Sequence, residues 1–264
     1  MGCVGSSSSA DIERSRRELE LAAALHEESN VPGAIGHLRQ ALELDPDNAE
    51  AHLLLAMIQA QRGNTPVAET HARQGVELLV EQERHGATLA EARNLLGNVL
   101  LERGKHEEAA EVLLAAASDE MNTAPHLAWG NLGRVYLEWN RPAEAVEPLR
   151  NAVQVQPRFC VGHHMLGRAY FELGQFEEAE VALVAALEAD PSCADAPQLQ
   201  NAWRLRGETR ARLGQHADAV ADLERCVALG SDSADGRACQ RLLDASAQPP
   251  QDSSSDLPSD EVTQ

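Results

Sequence analysis

The residues of this chain that could carry chemistry are its five cysteines and ten histidines. Cys160 lies three positions before His163 and four before His164. A thiol beside an imidazole can form a nucleophilic pair, and the same side chains are common metal ligands. His163, however, falls where the repeat described below places a packing residue. We therefore predict neither catalysis nor metal binding at this cluster.

Two other histidines stand in sequences that resemble a zinc motif. His26 and His106 each precede two glutamates, but both lack the second histidine of His-Glu-x-x-His. The glycines occur singly, so no glycine-rich phosphate loop is present. The sequence therefore predicts a protein that is not an enzyme, with no cofactor, no metal and no small-molecule substrate.

The stretch from His126 to Pro191 contains one pattern twice. Leu-Gly, an aromatic residue, a small turn residue, two alanines and a closing proline recur at a spacing of 34 residues. This period and these residue types match the tetratricopeptide (TPR) unit, a pair of antiparallel helices. The matched pairs include Leu132 with Leu166, Gly133 with Gly167, Tyr136 with Tyr170, Ala145 with Ala179, Leu149 with Leu183 and Pro157 with Pro191.

Each residue type in the pattern has a physical role. Gly133 and Ala145 are small, which lets the two helices of one unit cross closely, and Leu149 fills the space beside the crossing. Pro157 cannot continue a helix, so it ends the unit and can begin the next one. We therefore predict an all-α protein, a right-handed TPR superhelix, which needs no single large core because it grows by stacking.

The same register extends over residues 11–232 and gives about six units. They are predicted to begin near Ser15, Ala49, Ala90, His126, Cys160 and Gln200. The 41-residue step from the second start to the third predicts a longer helix that ends at Gly86. The sixth unit departs from the pattern, because Arg206 and Arg210 occupy positions that are usually apolar. Residues 233–246 predict a C-terminal capping helix that covers the last unit.

Composition limits the possible partners. The formal net charge of −20 argues against nucleic acid or an anionic lipid surface as the main partner. No apolar run approaches the ~18 residues of a membrane-spanning helix. Prolines, serines and acidic residues dominate residues 247–264, which predicts a disordered acidic tail.

The first ten residues, a Met-Gly-Cys start followed by a serine run, allow three interpretations. The first is a flexible start without function. The second is N-myristoylation, because Gly2 and Ser6 fit Met-Gly-x-x-x-Ser and Cys3 could take palmitate. The third is a bacterial lipoprotein in which Cys3 carries the lipid and the serines form a flexible tether, the signal sequence lying upstream. We favour the third, since Lys105 is the single lysine among 22 basic residues, a bias typical of GC-rich bacterial genomes.

Several short stretches resemble one family in particular. They are Asn94-Leu95-Leu96-Gly97, Gly104-Lys105-His106-Glu107-Glu108-Ala109, Thr123-Ala124-Pro125-His126 and Asn131-Leu132-Gly133. With about six TPR units behind a cysteine and a serine-rich tether, residues 3 to about 230 resemble the pilotin lipoproteins of type IV pilus systems. The resemblance implies a lipoprotein on the periplasmic face of the outer membrane, anchored through Cys3. It implies that the protein binds secretin subunits and promotes their targeting and multimerisation for pilus biogenesis and pilus-dependent motility.

The repeat leaves a second function open. A general TPR adaptor, cytosolic or attached through an acyl chain, would bind a different peptide partner with the same scaffold. An upstream apolar stretch ending in Leu-x-Gly-Cys would favour the lipoprotein, whereas a genuine initiator at Met1 would favour the adaptor.

In both cases the register predicts which side chains line the groove formed by the first helices. The predicted groove residues are Asn94, Asn98, Leu101, Arg134, Leu137, His164, Arg168 and Phe171. This mixture suits a bound peptide, because amides bind its backbone and apolar groups contact its side chains. The alternative is a set of solvated helix faces. For Leu137 and Phe171 we favour the groove, since large apolar groups on a solvent face require a reason.

Four cysteines lie in or near the last two units, at Cys160, Cys193, Cys226 and Cys239. In an oxidising periplasm, pairs between successive layers would be Cys160–Cys193 and Cys226–Cys239. The second pair would attach the capping helix to the array. The alternative is four reduced thiols.

Overall fold

The computed structural model describes residues 7–246, which form thirteen α-helices and no β-strand. Cys3 and the predicted tail, 247–264, lie outside the described residues. The helices are α1 (Ser9–Glu27), α2 (Val31–Leu44), α3 (Ala49–Gln61), α4 (Thr65–Glu81), α5 (Ala87–Glu102), α6 (His106–Ala117), α7 (Pro125–Glu138), α8 (Pro142–Val155), α9 (Cys160–Glu172), α10 (Phe176–Glu188), α11 (Gln200–Arg212), α12 (His216–Leu229) and α13 (Ala234–Ser246). None of these helices is both long enough and apolar enough to cross a membrane.

Helices α1 to α12 form six consecutive antiparallel pairs, which we call units one to six. In each unit the two helices pack together, and the second helix packs on the first helix of the next unit. The predicted superhelix of helix pairs is confirmed. The first helices begin at Ser9, Ala49, Ala87, Pro125, Cys160 and Gln200. Helix α13 covers α11 and α12 at the end of the stack.

A contact between a small residue and a leucine sets how closely the helices of a unit cross. A Cβ on Gly133 would lie 2.5 Å from Cδ2 of Leu149, a distance that real Cβ atoms do not reach. Equivalent contacts join Gly97 to Leu113, Gly167 to Leu183 and Gly207 to Leu223. Unit two has Ala56 and Ala72 at these positions, and both are fully buried. Its crossing is therefore filled by two methyl groups, in place of a glycine and a leucine.

The turn between the two helices of each unit contains one residue with a positive φ. In unit three this residue is Gly104, with φ of 71°. The amide of Lys105 donates to the carbonyl of Leu100 at 2.9 Å and that of Gly104 to Leu101 at 2.8 Å, which is a Schellman motif. The six residues are Ser29, Gly63, Gly104, Asn140, Gly174 and Gly214. This conformation explains the small turn residue in the repeat.

The long second unit ends differently from the prediction. Helix α4 is long, at 17 residues, but it ends at Glu81 and not at Gly86. Glu83 adopts the left-handed conformation, with φ of 54°, and the amide of Arg84 donates back to Leu79 at 2.9 Å. Gly86, with φ of 92°, instead precedes α5. The prediction was wrong because a glutamate, and not the glycine, closes this helix.

The two unusual arginines of unit six bind one buried carboxylate. Arg206 donates from Nε and Nη2 to the two oxygens of Asp222, at 2.9 and 2.6 Å. Arg210 donates from Nη1 to the same carboxylate at 2.9 Å and from Nε to Glu180 of unit five at 3.0 Å. Asp222 is 2% exposed and Arg206 is 6% exposed. A charged network therefore replaces apolar packing here and joins units five and six.

Both predicted disulfides are present. Cys160–Cys193 joins the start of α9 to the segment after α10, and Cys226–Cys239 joins α12 to α13; in each pair the Cα atoms are 6.3 Å apart. Both cysteines of the second pair are fully buried. Ser233 caps α13, because its Oγ accepts a backbone N–H from the first turn at 2.8 Å. The capping helix is therefore held both covalently and by its own cap.

Candidate functional site

The first helices of successive units line one side of the stack. Each of them packs against the next first helix, whereas consecutive second helices within residues 7–246 make at most marginal contact. The first helices therefore lie on the shorter, inner side of the curved array. We call the face that they present the inner surface. All the predicted groove residues are on these helices.

In units three and four the predicted polar residues form hydrogen bonds across the boundary between the units, one of them with Asn131, which was not predicted. Asn131 Nδ2 donates to Asn94 Oδ1 at 2.9 Å, and Arg134 Nη2 donates to Asn98 Oδ1 at 2.7 Å. All four side chains are partly buried. These bonds join unit three to unit four and use the amide oxygens. The Nδ2 groups of Asn94 and Asn98 remain as donors that can reach a bound chain.

Arg134 keeps one unpaired donor on this surface. Its Nε is buried and has no hydrogen-bond partner among the described residues. Oε1 of Glu138 lies 4.0 Å away, which is too long for a hydrogen bond. A buried N–H without an acceptor costs about 1–3 kcal/mol. The Arg134 side chain is 40% exposed, so the exposed part of its guanidinium can bind an acceptor from outside, such as a peptide carbonyl or a carboxylate, whereas Nε would reach one only after the side chain moves.

A second polar cluster runs from unit five to the capping helix. His164 Nε2 lies 3.0 Å from Asn201 Oδ1, and Asn201 Nδ2 donates to Asp235 Oδ1 at 2.7 Å. Arg204 Nε donates to the same oxygen at 3.0 Å. Burial lowers the pKa of His164, so the neutral ring donates to Asn201. Sequence reasoning missed Asn201 and Arg204, although counting positions two and five into unit six would have found them.

The remaining predicted residues of unit five are Arg168 and Phe171. Arg168 Nε donates to Glu172 Oε1 at 2.7 Å, in an exposed pair one helical turn apart. Exposed pairs of this kind contribute little, so Arg168 is free to exchange Glu172 for a ligand. Phe171 is half-buried, and its ring meets Phe176 edge-on with centroids 5.8 Å apart.

Leu101 and Leu137 are not groove residues. Leu101 is 5% exposed and Leu137 is 3% exposed, and both belong to the hydrophobic core between units. Position twelve of a first helix faces the next unit, so stacking buries it. On the first helices of units four and five, α7 and α9, the exposed large apolar side chains are instead Leu127, at 43%, and Val161, at 39%. They share position two of their units with Asn201, which lies in the polar cluster of the inner surface.

The cluster of Cys160 and His163 contains no free thiol. Cys160 is bonded to Cys193. Burial lowers the pKa of His163, and its Nε2 donates to the carbonyl of Pro157 at 3.0 Å. Within residues 7–246 no group of three or more His, Cys, Asp or Glu side chains is placed to hold a metal ion. What the inner surface offers is the set of hydrogen-bond donors and exposed apolar side chains described above. Groups of both kinds can bind another polypeptide chain.

Sequence comparison matches this architecture to known repeats. A family model described as TPR repeat matches residues 22–63, and one described as tetratricopeptide repeat matches residues 95–158 and 164–234. The chain is 29% identical over 166 residues to the type IV pilus assembly protein PilF of Pseudomonas aeruginosa. This match covers 58% of the chain and 61% of PilF, which is less than two thirds of the relative's length.

Two solved structures share the fold. The structure of Pseudomonas aeruginosa PilF superposes with a TM-score of 0.71 at 20% identity, covering 89% of this chain and 100% of that one. PilW, a widely conserved type IV pilus biogenesis factor, superposes with a TM-score of 0.72 at 21% identity, covering 86% of this chain and 98% of its own. At these identities the likeness establishes the fold alone. Because the tetratricopeptide model covers more than half of the sequence, the chain belongs to the tetratricopeptide-repeat family.

Proposed function

We propose that this protein is a non-catalytic assembly factor for a type IV pilus. The observation that carries the proposal is the sequence similarity to PilF, a type IV pilus assembly protein. The superpositions on PilF and PilW, which span nearly the whole of both chains, are consistent with it. The chain would act by binding a segment of another protein on the inner surface.

We propose further that the partner is a secretin subunit and that the protein is a pilotin. In this role it resides on the periplasmic face of the outer membrane, anchored through a lipid on Cys3, and promotes secretin targeting and multimerisation. Two features support the assignment. The resemblance of several short stretches to pilotins is one, and the two disulfides, which persist in oxidising compartments, are the other.

The inner surface suggests how a partner segment would be bound. The Nδ2 groups of Asn94 and Asn98 and the exposed part of the Arg134 guanidinium would donate to its backbone carbonyls or to a carboxylate. Leu127 and Val161 would cover its apolar side chains. An unassembled pore subunit exposes unpaired strand edges, which aggregate unless they are covered. Binding would keep the subunit soluble until the lipid anchor brings it to the membrane.

A deletion strain tests the role directly. Its envelope should contain secretin monomer at the normal level but no heat-resistant multimer, and the wild-type gene should restore the multimer. A Cys3→Ala gene should restore monomer binding without correct targeting, which separates the anchor from the groove. Normal multimers in the deletion strain would reject the pilotin role and favour a general adaptor with a different partner.

A further inference from the structure

A groove on the opposite side of the stack from the inner surface is mainly apolar. Helices α8, α9 and α10 enclose about 490 Å³ there. Leu166 and Tyr170 of α9 are buried in it, Val153 of α8 is half-buried, and Val181 of α10 is 71% exposed. An aliphatic side chain exposed to this degree stabilises the core of its own unit very little.

A large apolar residue at the position of Val181 is particular to unit five. At the position of Val181 the other units have Gly36, Thr70, Glu111, Glu147 and Ala221. The equivalent groove of unit four has Glu147 in place of Val181 and Asn151 in place of Ala185. The same helix pair therefore forms without a large apolar group here. The TPR fold does not require Val181, so its exposure needs another reason.

The walls of the groove match the surface of a helix. On α10 the side chains of Glu177, Val181 and Ala185 follow one another at intervals of four residues and form a ridge. Ala182 and Ala185 are small, which lets another backbone approach closely. From Glu177 to Ala185 the helix rises about 12 Å, so the groove accommodates two to three turns of a partner helix.

The charges around the groove favour a basic partner. Glu177 and Glu178 line it and form no ion pair with any described residue. Burial lowers the pKa of His163 on the facing helix, so this ring is neutral. Arg150 of α8 is a cation beside the groove, and it donates to the hydroxyl of Tyr170 at 2.7 Å. A second copy of a chain with net charge −20 would bring like charges together.

We propose that this outer groove binds a basic amphipathic helix of another protein. The apolar stripe of that helix would contact Val181, Leu166 and Val153, and its lysines or arginines would pair with Glu177 and Glu178. The inference concerns a different face from the inner surface and does not rest on the pilus-assembly function.

The test uses the full chain and a synthetic, fluorescein-labelled helix of about four turns. Its leucines form one stripe at the i, i+3, i+4, i+7 spacing, flanked by lysines. One control peptide has the same composition with the leucines distributed around the helix, and a second has glutamate in place of lysine. Binding is followed by fluorescence anisotropy, and the contact surface by hydrogen exchange of α8 and α10.

The protein variants are chosen so that they fold. Val181→Glu and Ala185→Asn introduce the residues that unit four has naturally. Leu21→Glu is the control, because it also replaces an exposed aliphatic side chain by glutamate, but on α1. We expect the striped peptide to bind at least tenfold more tightly than either control peptide and to protect α10. Val181→Glu should weaken binding at least tenfold, and Leu21→Glu should leave it unchanged.

Three results would overturn the proposal. The first is failure of the striped peptide to bind the wild-type chain, and the second is equal binding by the peptide with distributed leucines. The third is self-association of the wild-type chain that Val181→Glu abolishes, because a second copy would then be the occupant. Circular dichroism of each variant confirms that loss of binding is not loss of fold.

Discussion

Leu149 of α8 occupies the space in which a side chain on Gly133 of α7 would have to lie, with its Cδ2 2.5 Å from that Cβ position. We predict that Gly133→Ala lowers the free energy of unfolding by about 1–3 kcal/mol, because overpacking moves side chains or backbone. Urea unfolding followed by circular dichroism measures the change.

Gly36 provides the control for this substitution. It lies inside α2, and a Cβ added there meets no atom within 4 Å. Gly36→Ala should leave stability unchanged or raise it by up to about 1 kcal/mol, since alanine is the better helix former. If Gly133→Ala and Gly36→Ala had equal effects, the close crossing would not explain the glycine of the repeat.

The buried network of unit six gives a second prediction. Asp222→Asn keeps the shape of the side chain but removes the charge that binds Arg206 and Arg210. Removing one member of a buried ion pair typically costs about 3–5 kcal/mol. Because stability in a repeat array is partly local, the loss should appear first as faster hydrogen exchange in α11 and α12.

An exposed ion pair serves as the comparison for Asp222. Glu13 accepts from Arg17 at 3.3 Å, and both side chains are more than half exposed. Glu13→Gln should change stability by less than about 0.5 kcal/mol. Exchange in α11 and α12 that stays at the wild-type rate in Asp222→Asn would contradict the stabilising role of the network.

The disulfide between α12 and α13 should stabilise the end of the array. Replacing Cys226 and Cys239 together by serine should cost about 2–4 kcal/mol and increase hydrogen exchange in α13 before the other helices. Intact-mass measurement after alkylation, with and without reductant, counts the thiols. Alkylation of these two cysteines and of Cys160 and Cys193 in the native, oxidised protein would contradict both bridges.

Protonation of two histidines of unit two should lower the stability of the protein in acid. His52 Nδ1 lies 2.9 Å from His71 Nδ1, and His52 Nε2 lies 3.1 Å from the carbonyl of Pro46. The bond between the two rings needs a lone pair on one Nδ1, so the two rings cannot both be protonated in this arrangement. Burial lowers the pKa of both rings from the ordinary value of 6.5.

The sign of the pH effect follows from those shifts. Below pH 6.5 the unfolded chain takes up protons before the folded chain does, so the free energy of unfolding falls as the pH drops towards the lowered pKa values. Above pH 6.5 this contribution is complete. His71→Asn removes one titrating group, and its stability should fall less steeply between pH 6.5 and 5 than that of the wild type. An equal slope in both proteins would contradict the assignment.

Much of the fold could be predicted because it depends on residue size at fixed spacing. Gly133 and Leu149 form one contact sixteen positions apart, and a 34-residue period shows that contact repeatedly. The end of α4 could not be predicted in this way. Glu83 adopts a left-handed conformation that is uncommon for residues other than glycine. The hydrogen bonds of the surrounding turn hold it in this conformation.

The inner surface was only partly predictable for a different reason. Helical periodicity gives the direction of a side chain relative to its own helix, but not the position of the next unit. Periodicity therefore predicts that Leu101 and Leu137 are exposed, whereas stacking buries both, and the Asn94 side chain accepts a hydrogen bond from Asn131. Arg206 and Asp222 lie sixteen positions apart, the spacing that also joins Gly133 to Leu149, so the repeat could have indicated this contact although the residue types depart from its pattern.

We propose that the inner surface binds a secretin segment. The most direct test of this proposal is the affinity of the purified chain for the purified periplasmic part of the secretin, measured by calorimetry. The wild type should bind, and the double variant Asn98→Ala/Arg134→Ala should bind at least about tenfold more weakly, because about 1.4 kcal/mol of hydrogen bonding is lost. Val181→Glu, on the opposite face, should bind like the wild type. Wild-type affinity in the double variant, or no binding by the wild type, would contradict this proposal.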